Sequence, residues 1–428
     1  MEDIRVRWLQ CPSRAANRRP GRSCLGTRFR TRLWPLVALG LVVAILASAC
    51  SGESKGCQAD GATAAESGSG ERIAFISADS PSVDGGNLNV INRDGSGLRC
   101  LDLGGETTEF AWSPDGHRIA HNRGHDLYAM ELESFSAIQL TDDSGLVGSL
   151  TWSPDGTQIA FLVGRELFVT YADDPFAKRL AENVDIQFSW SPDSDRIAFR
   201  STEEEILVAR SDGSDGNEKI RLVEDVGRAT WPAWSPDGTR IAFLSMSGWG
   251  YTQDLRSDIY VGRVDGVSVI RVTGSPSSYV RSDLAWSPDG TQILTSRSVV
   301  NYDPRITEDP VIHVLKVDSQ LERSLSAGRA PVWSPDGQRI AFFAEGTLYG
   351  GGIRAGGIGI HVIDVDGSNE IALTDQPNDG PPTWSPDGTQ IAFSRAGDIY
   401  VANADGSGEM NITNSPDATD SNPAWAPQ

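Results

Sequence analysis

The chain contains 428 residues, with 58 acidic and 37 basic side chains and a formal net charge of −21. Apolar residues make up 39% of it, which is enough for a core and argues against general disorder. A nucleic-acid-binding protein needs a basic surface to neutralise phosphates, so the acidic balance excludes that class of partner.

The N-terminal segment, residues 1–49, differs in charge from the rest of the chain. It holds nine arginines and two acids, a charge of +7, which leaves −28 for residues 50–428. A basic segment, the apolar run Leu33–Ala47 and then small residues are typical of a secretory signal peptide. The pentapeptide LASAC at residues 46–50 resembles the bacterial lipobox. That resemblance implies that Cys50 is lipidated and becomes the mature N-terminus.

Residues 50–70 are rich in Gly, Ser and Ala and lack large apolar side chains. Such a segment buries little surface, so we expect a flexible tether. Two cysteines, Cys57 and Cys100, lie beyond Cys50. An oxidising compartment permits a disulfide between them, and the sequence leaves open that bridge or two free thiols. These features predict an exported protein, anchored by lipid to the extracytoplasmic side of the cell membrane.

Residues 71–428 repeat the phrase W-S-P-D-G-x-x-I-A-F with local variation, at intervals of 38 to 52 residues. Each unit continues with a D-I-Y-V type phrase and closes with an L-T type phrase. The phrases are short β-branched or aromatic runs between turn residues, which predicts four strands per unit. The repeat tryptophans are Trp112, Trp152, Trp190, Trp234, Trp286, Trp333, Trp384 and Trp425.

Four antiparallel strands per unit of this length are typical of a β-propeller blade. The sequence therefore predicts an all-β fold, a single propeller over residues 71–428, with eight blades and seven as the alternative. The first strand phrase at Trp425 comes last, and a second strand phrase begins at Arg72. We therefore expect the C-terminal strand to join the N-terminal blade and close the ring.

These phrases resemble the WD40-like PD40 repeat of the TolB propeller family over Arg72–Gln428. The local departures include Ser194 in place of Gly, His121 in place of Phe, and Leu294-Thr295 in place of Ala-Phe. The resemblance implies a β-propeller fold for this part of the chain.

The repeated tryptophan and aspartate residues are interpreted as structural. The tryptophans favour packing between blades, and the aspartates favour turn capping over calcium binding. The sequence indicates no catalytic constellation, no cofactor and no metal site, and residues 50–428 contain no G-x-S-x-G motif. We therefore predict a monomeric protein-binding or scaffold module of the cell envelope that is not an enzyme. The alternative is a lyase or lactonase with its site in the central channel.

A candidate partner-binding face comes from three consecutive blades with expanded links between the second and third strands. These links are Gly248–Ser257, Val299–Pro310 and Gly346–Gly359, and the link Ser275–Asp283 between two blades emerges on the same face. Aromatic residues and arginines dominate binding hot spots. The candidate residues of these links are Trp249, Tyr251, Arg256, Tyr279, Arg281, Tyr302, Arg305, Tyr349 and Arg354.

Overall fold

A computed structural model describes residues 71–78, 85–101, 106–142, 145–214, 220–221, 228–247, 256–266, 268–273, 279–299, 310–348, 352–416 and 418–428. The chain divides into two compact units, Met1–Glu53 and Ser54–Gln428, and every described residue belongs to the second. Throughout these ranges the regular elements are β-strands. None of the described segments forms a helix long and apolar enough to cross a membrane.

The described strands form eight four-stranded antiparallel sheets, which are the blades of a β-propeller. Blade 1 contains β1 (Arg72–Ala78), β2 (Asn87–Asn92), β3 (Arg99–Cys100) and β32 (Thr419–Trp425). Blade 2 contains β4 (Phe110–Trp112), β5 (Arg118–Arg123), β6 (Asp126–Glu131) and β7 (Ser136–Gln139). Blade 3 contains β8 (Val147–Trp152), β9 (Gln158–Val163), β10 (Glu166–Tyr171) and β11 (Asp174–Ala181). Blade 4 contains β12 (Val184–Trp190), β13 (Arg196–Ser201), β14 (Ile206–Arg210) and β15 (Ile220–Arg221).

The second half of the ring repeats this arrangement. Blade 5 contains β16 (Arg228–Trp234), β17 (Arg240–Ser247), β18 (Arg256–Arg263) and β19 (Val269–Arg271). Blade 6 contains β20 (Tyr279–Trp286), β21 (Gln292–Val299), β22 (Val311–Lys316) and β23 (Leu321–Ala327). Blade 7 contains β24 (Arg329–Trp333), β25 (Arg339–Leu348), β26 (Gly352–Asp364) and β27 (Ile371–Ala372). Blade 8 contains β28 (Thr383–Trp384), β29 (Gln390–Arg395), β30 (Asp398–Asn403) and β31 (Met410–Asn411).

The ring closes where the C-terminal strand joins the N-terminal blade. Blade 1 takes its first strand, β32, from the C-terminus, and Ile73 of β1 pairs with Trp425 of β32. The predictions of eight blades and of closure by the C-terminal strand are confirmed, and the seven-blade alternative is wrong. Closure matters because it removes two sheet edges that would otherwise be open to pairing with another chain.

The turn between the first and second strands is built from local hydrogen bonds. In blade 5, the Ser235 hydroxyl donates to Asp237 Oδ1 at 2.5 Å, and the Thr239 N–H donates to the same oxygen at 3.0 Å. The hydrogen bond from Ser235 lowers the pKa of Asp237 below its usual value. Gly238 has a φ of 68°, in the left-handed region that glycine tolerates. The interpretation of the repeated aspartates as turn caps agrees with this geometry.

The repeat tryptophans join each blade to the one before it. Each indole N–H donates to the carbonyl oxygen of the residue that precedes the tryptophan in the neighbouring blade, at 3.0 to 3.3 Å. Trp112 of blade 2 completes the ring by donating to Ala424 of blade 1. These side chains therefore pack between blades, as the sequence analysis predicted.

The apolar core lies between neighbouring blades. Leu127 of blade 2 packs with Trp152 and Phe161 of blade 3 in one cluster. At the closure, Ile399 of blade 8 packs with Phe75 in the same way. One face of the propeller, here the turn face, carries the turns between first and second strands of blades 2 to 8 and the hairpins between third and fourth strands. The opposite face, here the link face, has the links from second to third strand and from one blade to the next.

Candidate binding site in the central channel

The first strand of each blade is the innermost, so eight first strands surround a central channel. Six of these strands show a shift in pairing register, which is typical of a β-bulge. In four of them the residue three positions before the repeat tryptophan has a φ between 49° and 56°. Bulges of this kind redirect a side chain. The four residues are Ser149, Trp231, Ala330 and Asn422.

Trp231 is the large member of this set. Its side chain is 49% exposed although it lies on an innermost strand, β16. A left-handed backbone costs a bulky residue about 1–3 kcal/mol and persists only where its surroundings hold it. Gln187 of the neighbouring β12 provides that support. Its Oε1 accepts a hydrogen bond from the backbone N–H of Trp231 at 2.8 Å and another from the Thr230 hydroxyl. A hydrogen bond between two blades thus stabilises the backbone conformation of Trp231 beside the channel.

A cavity of about 570 Å³ extends along the first strands of blades 3 to 6. Its wall includes Trp231, Pro232, Ile186, Phe188 and Leu284, and Ile186 is 67% exposed. No charged side chain is present among the described residues that line it. An uncharged apolar group entering this cavity displaces water from apolar surface without desolvating an ion, which favours binding.

The opposite wall of the channel has different chemistry. A cavity of about 480 Å³ lies along blades 8, 1 and 2, and its wall includes the carboxylate of Glu109 and the amide of Asn422. Three prolines, Pro381, Pro382 and Pro423, stiffen this wall because proline fixes the backbone φ. The described lining of the channel therefore carries no charge along blades 3 to 6, whereas along blades 8, 1 and 2 it includes one acidic residue, Glu109.

A buried ion pair fixes the link that leads into the second cavity. The Asp379 side chain is fully buried, and its Oδ1 accepts a hydrogen bond from Arg395 Nε at 2.6 Å. Thr374 also donates to this carboxylate. Burial alone would lower the pKa of Arg395, but hydrogen bonds to Asp379 and Glu409 raise it above its usual range. This network connects the link between blades 7 and 8 to the second strand of blade 8.

Three histidines are buried within the blades. His313 Nδ1 lies 2.9 Å from Glu322 Oε1, and His361 Nδ1 lies 2.9 Å from Glu370 Oε1. Burial lowers the pKa of His121 to about 4. The described residues contain no group of three His, Cys, Asp or Glu side chains placed to hold a metal ion. The lyase or lactonase alternative stays a prediction without a tested site.

The predicted partner-binding face is only partly described. Four of its residues lie in strands: Arg256 begins β18, Tyr279 and Arg281 lie in β20, and Arg354 lies in β26. The other five residues of the face lie outside the described residues. The predicted lipidation site and one cysteine of the predicted disulfide lie outside them as well. These residues are Trp249, Tyr251, Tyr302, Arg305, Tyr349, Cys50 and Cys57. The face and the anchor stay predictions.

The link expected over Gly346–Gly359 is largely a continued hairpin. The pairing of β25 with β26 continues to Leu348 and Gly352. Antiparallel pairing satisfies the backbone N–H and C=O groups, so the two strands lengthen where the sequence suggested an irregular loop. Cys100 lies in β3 and is disulfide-bonded, and the identity of its partner lies outside the described part of the chain.

Sequence reasoning missed Trp231. The repeat drew attention to the eight tryptophans that begin W-S-P-D-G, and Trp231 stands three residues before one of them, Trp234. The available signal was a tryptophan at a repeat position that holds serine, alanine or asparagine in the other three left-handed bulges. A large aromatic residue at a position otherwise occupied by small or polar ones indicates a role specific to that blade.

Comparison with known proteins supports the fold. No protein-family model matches the chain, and no curated protein is similar to it. The dihydro-heme d1 dehydrogenase NirN in complex with DHE is 14% identical, with a TM-score of 0.56 over 83% of this chain and 74% of that one. An oligogalacturonate lyase in complex with manganese is 14% identical, with a TM-score of 0.50 over 83% of this chain and 96% of that one.

TolB-like propellers are also among the similar structures. TolB from Acinetobacter baumannii is 16% identical, with a TM-score of 0.39 over 74% of this chain and 82% of that one. Likeness at these identities shows the β-propeller fold alone. The fold by itself does not select a function, so the site must be argued from its own residues.

Proposed function

We propose that the protein is a lipid-tethered binding module of the cell envelope, which takes an uncharged apolar segment of a partner protein into its central channel. The observation that carries the proposal is Trp231, half exposed in a cavity without charged lining residues and held there by Gln187. Tryptophan is among the residues most often found at binding hot spots.

The charge of the molecule supports an uncharged segment as the occupant. Residues 50–428 carry a formal charge of −28, yet the described wall around Ile186 and Trp231 carries none. Burying an ion without a partner is costly, so a charged segment is disfavoured at this wall. An apolar segment covers exposed side chains that otherwise remain in water.

Two positions of the predicted partner-binding face lie on a strand that also lines this channel. Tyr279 and Arg281 lie at the beginning of the innermost strand β20, which is its end at the link face. The cavity includes Leu284 of the same strand. A partner that inserts a segment into the channel from the link face therefore also meets the links of blades 5 to 7.

Capture of the partner tests the proposal. Trp231→Ala and Ile186→Ser, each in the full chain, are crosslinked in cells and the protein is recovered with its adducts. We expect several-fold less of a specific protein adduct than with the unchanged chain, and nearly unchanged thermal unfolding. Leu321→Ala is the matched control, because Leu321 is exposed and apolar but lies on the outer strand β23. Undiminished capture by both channel variants contradicts the proposed site.

The tether has its own test. Cys50→Ala removes the thiol that the lipobox resemblance assigns to lipid. We expect loss of lipid labelling and of membrane fractionation, with the propeller itself still folded. A variant that still labels and still fractionates with membrane contradicts the anchor and leaves the channel proposal standing.

A further inference from the structure

Each blade contributes one residue to a ring at about the same depth of the central channel. This residue stands three positions before the repeat tryptophan, and the blades share one strand order. Six of the eight residues line the two channel cavities, and none of the eight is basic. They are called the channel ring. In the order of blades 1 to 8, the channel ring consists of Asn422, Glu109, Ser149, Gln187, Trp231, Asp283, Ala330 and Pro381.

At two positions of the channel ring, the backbone is held by an amide side chain. Asn122 Oδ1 accepts hydrogen bonds from the Glu109 N–H and from the Thr108 N–H, each at 2.9 Å. The Asn122 Nδ2 group donates to Thr108 Oγ1 at 2.7 Å and to a carbonyl oxygen of blade 3 at 3.0 Å. Gln187 accepts the Trp231 N–H in the same manner. One acidic and one aromatic residue of the channel ring are therefore placed by contacts between blades.

The amide at Asn122 is a feature of blade 2. The strand β4 begins only at Phe110, so the backbone N–H groups of Thr108 and Glu109 lie ahead of the ladder and Asn122 accepts them. Asn122 is buried, and because both its oxygen and its nitrogen are hydrogen-bonded it makes this position rigid. In the other blades, the residue after the I-A-F type phrase is Ile76, Leu162, Arg200, Leu244, Ser296, Phe343 or Ser394.

The Glu109 carboxylate lies in the cavity along blades 8, 1 and 2 without a countercharge. Glu109 is half-buried, and among the described residues that line this cavity it alone is charged. No described side chain forms a hydrogen bond or an ion pair with its carboxylate. An acid in a cleft with low-dielectric walls attracts a cation more strongly than an acid on an open surface. The charge of −28 over residues 50–428 adds to that attraction.

The two cavities lie on opposite walls of the channel. In a ring of eight blades, blades 8, 1 and 2 stand opposite blades 4, 5 and 6. One wall presents Ile186 and Trp231, and the other presents Glu109. Successive side chains of an extended chain point to opposite sides. An extended segment that runs along the channel therefore presents alternate residues to the two walls.

We propose that the segment bound in the channel is extended, with apolar side chains facing Trp231 and one lysine or arginine between them that pairs with Glu109. This inference rests on the proposed function and refines it, because the uncharged part of the segment is the side that faces blades 3 to 6. The basic residue faces the opposite wall, where it forms a charge-assisted hydrogen bond to the carboxylate. The two walls together select an alternating pattern as well as an apolar character.

Binding of short peptides tests this pattern. The probes are fluorescently labelled, end-blocked peptides of sequence Ser-Leu-Xaa-Leu-Ser, in which Xaa is Lys, Gln or Glu. Fluorescence anisotropy measures the affinity of each peptide for the full chain. We expect the Lys peptide to bind several-fold more tightly than the Gln peptide, and the Glu peptide to bind most weakly. The preference for the Lys peptide should shrink as the salt concentration rises, because salt screens the ion pair.

Substitutions on each wall separate the two contributions. Glu109→Gln should bind the Lys and Gln peptides equally, and Glu109→Lys should reverse the preference toward the Glu peptide. Glu133→Gln is the matched control, because it removes the same charge from an exposed turn of blade 2 and should keep the preference for the Lys peptide. Trp231→Ala should weaken all three peptides by a similar factor and keep their order. Thermal unfolding of each variant should stay close to that of the unchanged protein.

The outcomes distinguish this inference from the proposed function. If Trp231→Ala weakens binding but the unchanged protein binds the Lys and Gln peptides equally, the channel takes apolar segments and the pairing with Glu109 is overturned. A preference for the Lys peptide that persists in Glu109→Gln, or that Glu133→Gln also abolishes, overturns the pairing as well, because the charge of the whole protein then causes it. If no peptide binds at millimolar concentration, or if Trp231→Ala leaves binding unchanged, the proposed function falls together with this inference.

Discussion

His121 provides a quantitative test of how the blades are packed. It occupies a position at which six other blades have phenylalanine, namely Phe75, Phe161, Phe199, Phe243, Phe342 and Phe393. His121 is fully buried, and its ring stacks on Tyr128 with 5.7 Å between ring centres. Its Nε2 atom has no hydrogen-bond partner among the described residues. We predict that His121→Phe removes a source of acid sensitivity from the protein.

The size of the effect follows from the pKa of His121. Burial lowers it from 6.5 to about 4, with a further small lowering by Arg123 and a partial offset from the Asn122 carbonyl. Between these values the unfolded chain binds more protons than the folded one, so the free energy of unfolding falls as pH falls. One pKa unit corresponds to about 1.4 kcal/mol, so the loss between pH 8 and pH 5 is about 2 kcal/mol.

Denaturant unfolding of both proteins at pH 8 and pH 5 measures this difference. At pH 8 the variant should be no less stable, because phenylalanine fits this position in six blades and removes a buried nitrogen without a partner. At pH 5 the stability difference in favour of the variant should grow by about 2 kcal/mol. The acid sensitivity of the turn aspartates is common to both proteins and cancels. His117→Gln, at an exposed turn position, should behave as the unchanged protein. Equal pH dependence for His121→Phe and the unchanged protein would refute the reasoning.

Three further predictions concern the core, the buried ion pair and the partner-binding face. Trp384→Ala should cost about 3–5 kcal/mol in unfolding free energy by opening a cavity between blades, whereas Trp231→Ala should cost far less; equal losses contradict their assignments. Arg395→Met should cost about 3–5 kcal/mol near neutral pH because it leaves the buried carboxylate of Asp379 without its charged partner, with only the Thr374 hydroxyl still donating to it. A loss below about 1 kcal/mol in denaturant unfolding contradicts this. Deleting Val299–Pro310 should weaken partner capture with little change in thermal unfolding, and full capture by the folded variant excludes this link.

Local chemistry determined the blade, and the sequence displays local chemistry directly. The Ser235, Asp237 and Gly238 turn depends on hydrogen bonds between residues two to five positions apart and on one left-handed glycine. Repetition of that turn with its β-branched runs therefore predicted the strands, the number of blades and the closure through Trp425. The packing of the repeat tryptophans followed from their fixed position in each unit.

The tertiary structure alone decided which side chains face the channel and which contact a neighbouring blade. Trp231 is exposed because a bulge turns it and because Gln187, 44 residues earlier, accepts its N–H from the next blade. The contact of the Arg99 guanidinium with the Phe135 ring likewise joins separate segments of blades 1 and 2. The register of the bulges and the contacts between blades depend on the closed ring. The ring brings together residues that are far apart in the chain, and a local sequence pattern does not show such contacts. The sequence determined the repeating blade. The closed ring determined the surroundings of residues, such as Trp231, at which one blade differs from the others.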